Sequence, residues 1–340
     1  MIESVPRTSQ EVRTVLARAG ISLRKSLGQH YLVDPNLRTA LVKDAEVQPG
    51  EIILEVGVGL GILTAGLLER GAVVLGVELD ETVLGVTRRL LAPYLAAEDT
   101  ASTEPEPERV VARLLEAREA DEPRVHLMQA NVLRRKQLDT HVRTWLDALR
   151  AAAPEARLRL VANLPFQIAS PLLVSILEWR PARGSAPGDG GAGFDGVAVM
   201  VQWEVAQSIT AEPGSEMYGT LSVLCQAHAT WDVTRRIRPT VFMPRPKVDS
   251  GFVRGTTREA DSPFPLGLSA SEYATFKQLV HAAFQYRRKH LRKALALGTT
   301  FPSDAVDAAL AVAGLDATSR GEVASAESFA TLARTLTARP

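Results

Sequence analysis

Seven residues constrain the fold of this chain more than any others: Glu55-Val56-Gly57-Val58-Gly59-Leu60-Gly61. They close the apolar run Glu51-Ile52-Ile53-Leu54-Glu55-Val56, which reads as a strand. They precede Ile62 to Arg70, a helical stretch stopped by Gly71. Glycines at a strand-to-helix junction let the backbone turn tightly and come close to a ligand. Ala72 to Val77 is a second apolar strand, and Glu78 ends it, where a carboxylate can accept both hydroxyls of a ribose. A plain strand–turn–helix junction also carries glycines. The paired acid favours a nucleotide-type ligand and leaves its identity open.

The same alternation runs through most of the chain. A short amphipathic helix is expected over 9–19, a polar loop from Arg24 to Pro35, and a helix capped by Asn36 that runs to Ala45. Further helices are expected at Glu81–Leu91, Arg135–Ala151, Ser170–Trp179 and Trp203–Ile209. Strands are expected at Val125–Met128, Leu158–Ala162, Val197–Val201, Thr220–Ala229 and Val248–Arg254, with a flexible Gly/Pro/Ala-rich loop at Arg183–Gly193. Such a pattern predicts an α/β protein: a doubly wound, mostly parallel sheet covered on both faces, with at least one late strand antiparallel. After Ser262 the pattern turns helical, at Ser271–Leu297, Ser303–Ala313 and Ser325–Thr337. Two domains are therefore expected, residues 1–260 and a small all-helical domain at 261–340, in keeping with a 340-residue chain.

The 39 basic and 39 acidic residues cancel only on average. Between Pro93 and Pro123 nine acids face three bases, and Glu-Pro repeats there predict a solvated, flexible acidic insertion with a helix at Arg109–Ala120. Seven bases and one acid lie between Arg235 and Arg258, and six bases with no acid between Lys277 and Lys293. Clustered cations of this kind can meet phosphates despite a neutral total, though a solvated face is the plainer explanation. The single cysteine, Cys225, excludes a disulfide framework within the chain and any CxxC metal site. No apolar run approaches the roughly 18–20 residues that span a membrane. Met1 to Arg7 has no apolar secretory core, so a cytoplasmic protein is expected.

A second motif, Asn163-Leu164-Pro165-Phe166, follows the strand at Leu158–Ala162 directly. Ligands of doubly wound sheets sit at such carboxyl ends. An exocyclic adenine amine is a poor nucleophile because its lone pair is delocalised into the ring. The Asn163 side-chain oxygen and the Leu164 carbonyl are two acceptors that can hold its N–H groups and favour a pyramidal nitrogen. Pro165 stiffens the turn, and Phe166 offers a ring for a base to stack on. An Asx turn with a core Phe fits the tetrapeptide alone equally well. His30, in Gly28-Gln29-His30-Tyr31-Leu32, and the segment Phe242-Met243-Pro244-Arg245-Pro246-Lys247-Val248 are weaker signals. Arg287-Arg288-Lys289-His290-Leu291-Arg292 falls on an expected helix, where RNA-backbone contact competes with a solvated face.

The spacing G-x-G-x-G differs from the dinucleotide fingerprint and resembles the S-adenosylmethionine pocket of Rossmann-like methyltransferases. Taken together, the motifs resemble the ribosomal RNA adenine N6-dimethyltransferases, with the bacterial small-subunit (kasugamycin-resistance) type the nearest match. The resemblance rests on Lys25-Ser26-Leu27-Gly28-Gln29-His30-Tyr31-Leu32, the glycine motif, Val77-Glu78-Leu79-Asp80, Asn163–Phe166, Tyr218-Gly219, Leu221-Ser222-Val223, Phe242–Ser250, and Ala283-Phe284 with Arg287-Arg288-Lys289. It spans Arg24 to Arg292, interrupted by Pro93–Pro123.

This resemblance implies methyl transfer from S-adenosylmethionine to two adjacent adenosines near the 3′ end of small-subunit ribosomal RNA, by a monomer that needs no metal and no membrane. Asn163, Leu164, Pro165 and Phe166 would then be catalytic. His30, Leu32, Gly57, Gly59, Gly61, Glu78, Asn131 and Asn163 would border the cofactor. Arg245, Lys247, Arg287, Arg288, Lys289 and Arg292 would meet RNA. The chain departs from the family at Asn131, usually Asp, at Phe166, usually Tyr, and at Trp203 and Ser208, usually Lys and Arg; the acidic insertion has no counterpart and should project away from RNA. Three other readings remain: a large-subunit methyltransferase of the macrolide-resistance type, an assembly factor with little or no catalysis, and a nicotinamide dehydrogenase. The last leaves Asn163–Phe166 unexplained.

Overall fold

The computed structural model describes residues 4–22, 30–95, 106–180, 193–258 and 264–338. Lys25 to Gln29, the first Glu-Pro pair (Glu104-Pro105) and residues 183–192 of the expected loop lie outside the described residues. The chain opens with α1 (Ser9–Arg18), β1 (Tyr31–Leu32), α2 (Pro35–Asp44), β2 (Ile52–Val56), α3 (Ile62–Leu68), β3 (Val73–Glu78) and α4 (Glu81–Leu90). It continues with α5 (Pro107–Glu119), β4 (Arg124–Gln129), β5 (Leu133–Arg134), β6 (Gln137–Leu138), α6 (Thr140–Ala152), β7 (Leu158–Asn163), α7 (Ala169–Glu178) and β8 (Gly196–Gln202). Then come α8 (Trp203–Ile209), α9 (Thr220–His228), β9 (Ala229–Ile237), β10 (Phe242–Met243) and β11 (Ser250–Thr257). The last helices are α10 (Ala270–Gln285), α11 (Leu291–Gly298), α12 (Ser303–Val312) and α13 (Ala326–Thr337).

Seven strands form one sheet in the order β4-β3-β2-β7-β8-β11-β9. The pairs β3–β4, β2–β3, β2–β7 and β7–β8 are parallel. Every residue of β2 and β3 is buried, as parallel strands covered on both faces require. The chain builds outward from β2 to β4 and then returns to β7 on the other side of β2. That reversal opens a crevice at the carboxyl ends of β2 and β7, the place where doubly wound sheets hold ligands.

Several elements differ from the sequence expectation for local physical reasons. Residues 220–228 are helix rather than strand. Ser222, Val223, Leu224, Cys225, Ala227 and His228 are all buried, so nearly every side is covered and no solvent-facing polar stripe marks the helical period. The strand follows instead, as β9. The helix expected from Arg135 starts at Thr140, because Asp139 caps it and residues 133–138 form a small antiparallel hairpin with Arg135 and Lys136 at positive φ. Asp34, not Asn36, caps α2 by accepting from the N–H groups of Asn36 and Leu37. The expected helix 271–297 breaks into α10 and α11 around a turn at 286–290. Residues 107–119 of the acidic stretch are no solvated insertion: α5 buries Val110, Val111, Leu114 and Ala117, and the Arg118 side chain donates to the Gly50 carbonyl at 3.0 Å.

The structure divides into two compact units. One comprises Met1–Trp203 and Val233–Gly255; the other comprises Glu204–Asp232 and Thr256–Pro340. The second unit thus takes α8 and α9 along with the C-terminal helices, where the sequence suggested a single boundary after residue 260. Its core gathers Tyr218, Phe276 and Phe329, all fully buried, with the Tyr218 hydroxyl donating to the Ala324 carbonyl at 3.1 Å. No helix of the described residues is long and apolar enough to cross a membrane.

Candidate active site

The glycine loop leaves β2 with Gly57 at φ 76° and Gly59 at φ 53°, both in the left-handed region that side chains other than glycine avoid. At Gly59 a tight contact reinforces the requirement, whereas at Gly57 the backbone conformation alone imposes it. A β-carbon at Gly57 would lie 3.4 Å from Cδ and Cγ of Pro165, and one at Gly59 would lie 3.1 Å from the Tyr31 ring. The first motif therefore packs bare backbone against the second. Gly61, at the N-cap of α3, completes the turn.

Glu78 ends β3 and points its carboxylate back at this loop. Its Oε2 accepts from the Gly59 N–H at 3.0 Å, and Oε1 accepts from the N–H groups of Leu79 at 2.9 Å and Asp80 at 3.0 Å. Burial raises the Glu78 pKa above its ordinary value, while these three donors pull the other way. A carboxylate offers about four acceptor positions, so capacity remains for a hydroxyl. The Thr87 hydroxyl donates to the Gly59 carbonyl and ties α4 to the same loop.

Asn163 is the last residue of β7. Its Nδ2 donates to the His30 carbonyl at 3.1 Å. A carbonyl can only accept, so the amide orientation is determined and Oδ1 remains as an acceptor for an incoming donor. His30 Nδ1 lies 2.7 Å from the Pro244 carbonyl and by the same reasoning carries the proton there. The His30 and Phe166 rings lie 5.4 Å apart at 35°. The Leu164 N–H donates to the Met200 carbonyl, and the Pro165 carbonyl accepts from Ile168, which leaves the Leu164 carbonyl without a donor among the described residues.

These groups surround one cavity of about 180 Å³. His30, Leu32, Gly57, Gly59, Glu78, Asn131 and Asn163 to Phe166 all line it, whereas Gly61 does not. Asn131 is positioned by an Asx-type bond in which Oδ1 accepts from the Leu133 N–H at 3.2 Å. Its oxygen is thereby partly committed, and the amide NH2 is the group it offers to a ligand.

Two titratable lining residues, Tyr31 and Glu55, escaped the sequence reading. Tyr31 carries a buried hydroxyl with no partner among the described residues, and its pKa is raised by burial and by nearby Glu78 and Asp80. Glu55, in β2, is 2% exposed. Its pKa is pushed up to about 8, first by burial; Glu78 adds to the rise and Thr64 opposes it. The signal for Glu55 was present, because an acid inside an otherwise apolar strand is rarely left buried without a role.

The basic residues divide by partner. Arg235 pairs with Asp44 at 2.8 Å, Arg236 with Asp249 at 2.8 Å, and Arg254 with Glu46. Arg245 and Lys247 are exposed and have no ion-pair partner among the described residues; they follow Pro244, whose carbonyl holds His30. In the second unit, Arg287, Arg288 and Lys289 lie in the turn between α10 and α11 rather than on a helix. Arg287 pairs with Glu322 at 3.3 Å and donates to the Glu216 carbonyl at 2.6 Å. Arg292 pairs with Asp307, holding that carboxyl below its usual range. Arg288 and Lys289 are exposed. Ser208 is used internally, its hydroxyl donating to the Met217 carbonyl at 3.2 Å.

Fold and cavity together define a Rossmann-like domain with a nucleoside-sized cleft and a motif suited to holding an amine at its mouth. The chain belongs to the ribosomal RNA adenine dimethylase family, which it matches over residues 20–338. It is 35% identical over 323 residues to Ribosomal RNA small subunit methyltransferase A of Streptomyces coelicolor, covering 95% of this chain and 94% of that one. It is 33% identical over 347 residues to the protein of the same name from Bifidobacterium longum, covering 99% and 97%. Among solved structures, a dimethyladenosine transferase from Plasmodium falciparum superposes with a TM-score of 0.60 at 18% identity, over 89% of this chain and 96% of that one. The 23S rRNA methyltransferase ErmE superposes at 0.57 with 20% identity, over 90% and 99%. S-adenosylmethionine is the methyl donor of this enzyme class. The cleft fits it: left-handed glycine backbone without side chains lines the cavity, and a carboxylate stands beside it with room for a ribose hydroxyl.

Proposed function

We propose that this protein methylates the N6 amines of two adjacent adenosines near the 3′ end of small-subunit ribosomal RNA, giving N6,N6-dimethyladenosine. The observation that carries this reading is the oriented Asn163 amide, with Oδ1 left as an acceptor at the carboxyl end of β7 and the bare glycine loop beside it. Gly57, Gly59, Glu78, Asn131, His30 and Leu32 bind the cofactor. When bound, S-adenosylmethionine supplies an electrophilic methyl group. In the first transfer Asn163 Oδ1 and the Leu164 carbonyl accept the two N–H groups of the target amine and turn its lone pair out of conjugation; in the second, one of them accepts the single N–H that remains. As the nitrogen gains positive charge, the same acceptors stabilise it, and the excess proton leaves to water. Phe166 stacks on the extruded base, and Pro165 keeps the motif rigid. Arg245, Lys247, Arg288 and Lys289 meet RNA phosphates.

The small-subunit assignment is supported by full-length relatives of that name at 33–35% identity. Likeness to the 23S enzyme, at 20% identity, is a likeness of fold. The test is methyl transfer from labelled S-adenosylmethionine to unmethylated small subunits, with large subunits in parallel and nucleoside mass spectrometry of the products. Dimethyladenosine in small-subunit RNA is expected. Labelling of large subunits alone reassigns the substrate, and tight RNA binding without transfer reassigns the protein as an assembly factor.

A further inference from the structure

Trp203 opens α8 immediately after β8. β8 runs parallel to β7 with Met200 opposite Asn163, so the indole stands three residues past that pair on the ligand-bearing edge of the sheet. It does not line the cofactor cavity. The ring is half-buried, and its N–H has no partner among the described residues; the same holds for the fully buried Trp145, while Trp179 donates to Asp147 and Trp231 to the Cys225 carbonyl.

The Arg236 guanidinium sits over the indole, 4.7 Å from its centroid. Asp249 fixes both residues: its Oδ2 accepts from Arg236 Nε at 2.8 Å, and its carbonyl accepts from the Trp203 backbone N–H at 2.9 Å. The arginine nevertheless remains 59% exposed. Two residues before Asp249 stands Lys247, and four before it Arg245, both exposed. A cation–π pair can serve purely as a surface brace. A brace accounts for the Trp–Arg contact. It does not account for two exposed cations, Arg245 and Lys247, that have no ion-pair partner among the described residues and stand on the segment leading to Asp249.

We propose that Trp203 and Arg236 form a stacking subsite for an unpaired nucleobase adjoining the target adenosine, with Arg236, Arg245 and Lys247 on the neighbouring phosphates. The inference rests on the RNA-methyltransferase reading above. An adenine withdrawn into the cleft leaves its neighbour without a stacking partner, and that neighbour is itself a target in the next round. A rigid indole braced by a guanidinium replaces the missing stack. Because every base has a π-face, the subsite accepts any base and adds affinity rather than sequence choice.

The test is a cycle between the protein and its RNA. Wild type, W203F, W203L and R236A are titrated with a small-subunit RNA hairpin carrying two adjacent adenosines, and with the same hairpin made abasic beside the target. W203L is expected to bind the intact hairpin about tenfold more weakly than wild type. The two should bind the abasic hairpin alike, and W203F should retain most of the affinity. R236A should lower the salt slope by about one. Affinity for S-adenosylmethionine should be the same in all four. Equal affinity of W203L and wild type for the intact hairpin overturns the subsite, as does an equal loss in both on removing the base. Methyl transfer by wild type is measured alongside. If transfer is absent but the coupling persists, the reaction is misassigned and the subsite stands; if transfer is present without coupling, the subsite alone falls.

Discussion

The Asn163 side chain donates to the His30 backbone carbonyl across 3.1 Å, so the residue proposed to hold the target amine is itself oriented by the segment that leads into β1. His30 is fixed in turn by the Pro244 carbonyl at 2.7 Å, and β1 is tied to β10 by Tyr31 opposite Met243 and Leu32 opposite Phe242. Three stretches distant in sequence thus set one amide. Asn163→Asp keeps the shape but removes the donor and turns a carboxylate oxygen toward the His30 carbonyl. Transfer should fall by about a hundredfold or more, as misplacement of a reacting group does. Affinity for S-adenosylmethionine should change much less. Asn163→Ala should give the same split between single-turnover rate and cofactor affinity; near-normal turnover in either variant would remove Asn163 from the mechanism.

Gly59→Ala meets two penalties, a left-handed backbone and the Tyr31 ring at 3.1 Å. Stability should drop by about 1–3 kcal/mol, with weaker cofactor binding. Gly85 is the control. It lies within α4, with open space where a β-carbon would stand. Gly85→Ala should stabilise the protein by about 0.5–1 kcal/mol through helix propensity alone and leave cofactor affinity unchanged. Thermal unfolding and cofactor titration of the two variants check both expectations.

The contrast between these glycines shows what was legible in the sequence. The strand, the glycines and Glu78 share one local stretch, and local patterns report local turns. The partners of that stretch were not legible. Nothing in Gly59 announces Tyr31, and nothing in His30 announces Asn163, because those contacts are created by the crossing of chain segments. The α9 segment failed for another reason: a helix buried on nearly all sides presents no polar face to mark its period. Arg287 failed for a third. Its charge was evident, but its use in holding the turn depends on Glu322 and Glu216, which lie 35 and 71 residues away.

Glu55 should make stability fall as pH rises. Its native pKa of about 8 exceeds the ordinary 4.5 of an exposed glutamate. Below about pH 4.5 both folded and unfolded chains hold the proton, and there is no penalty. Between those values only the folded chain holds it, so unfolding releases a proton and stability declines by up to about 1.4 kcal/mol per pH unit. Above pH 8 both forms are ionised and the dependence flattens. Glu55→Gln removes this contribution, so the variant should gain on wild type between pH 5 and 8 and run parallel to it above. Denaturant unfolding across that range measures the difference. Parallel curves throughout would mean that Glu55 is already ionised in the folded protein.

Arg287 and its neighbours should separate cleanly. Arg287 bonds Glu322 and the Glu216 carbonyl, so Arg287→Ala removes a brace of the turn between α10 and α11 and should lower the melting temperature. Arg288 and Lys289 are exposed in the same turn and have no ion-pair partner among the described residues. The double variant R288A/K289A should leave the melting temperature unchanged and reduce the slope of log affinity for RNA against log salt by about two, one for each cation removed from a phosphate. Fluorescence anisotropy with a small-subunit RNA fragment at four or five salt concentrations measures the slope. An unchanged slope in the double variant would assign these two cations to solvent rather than to RNA.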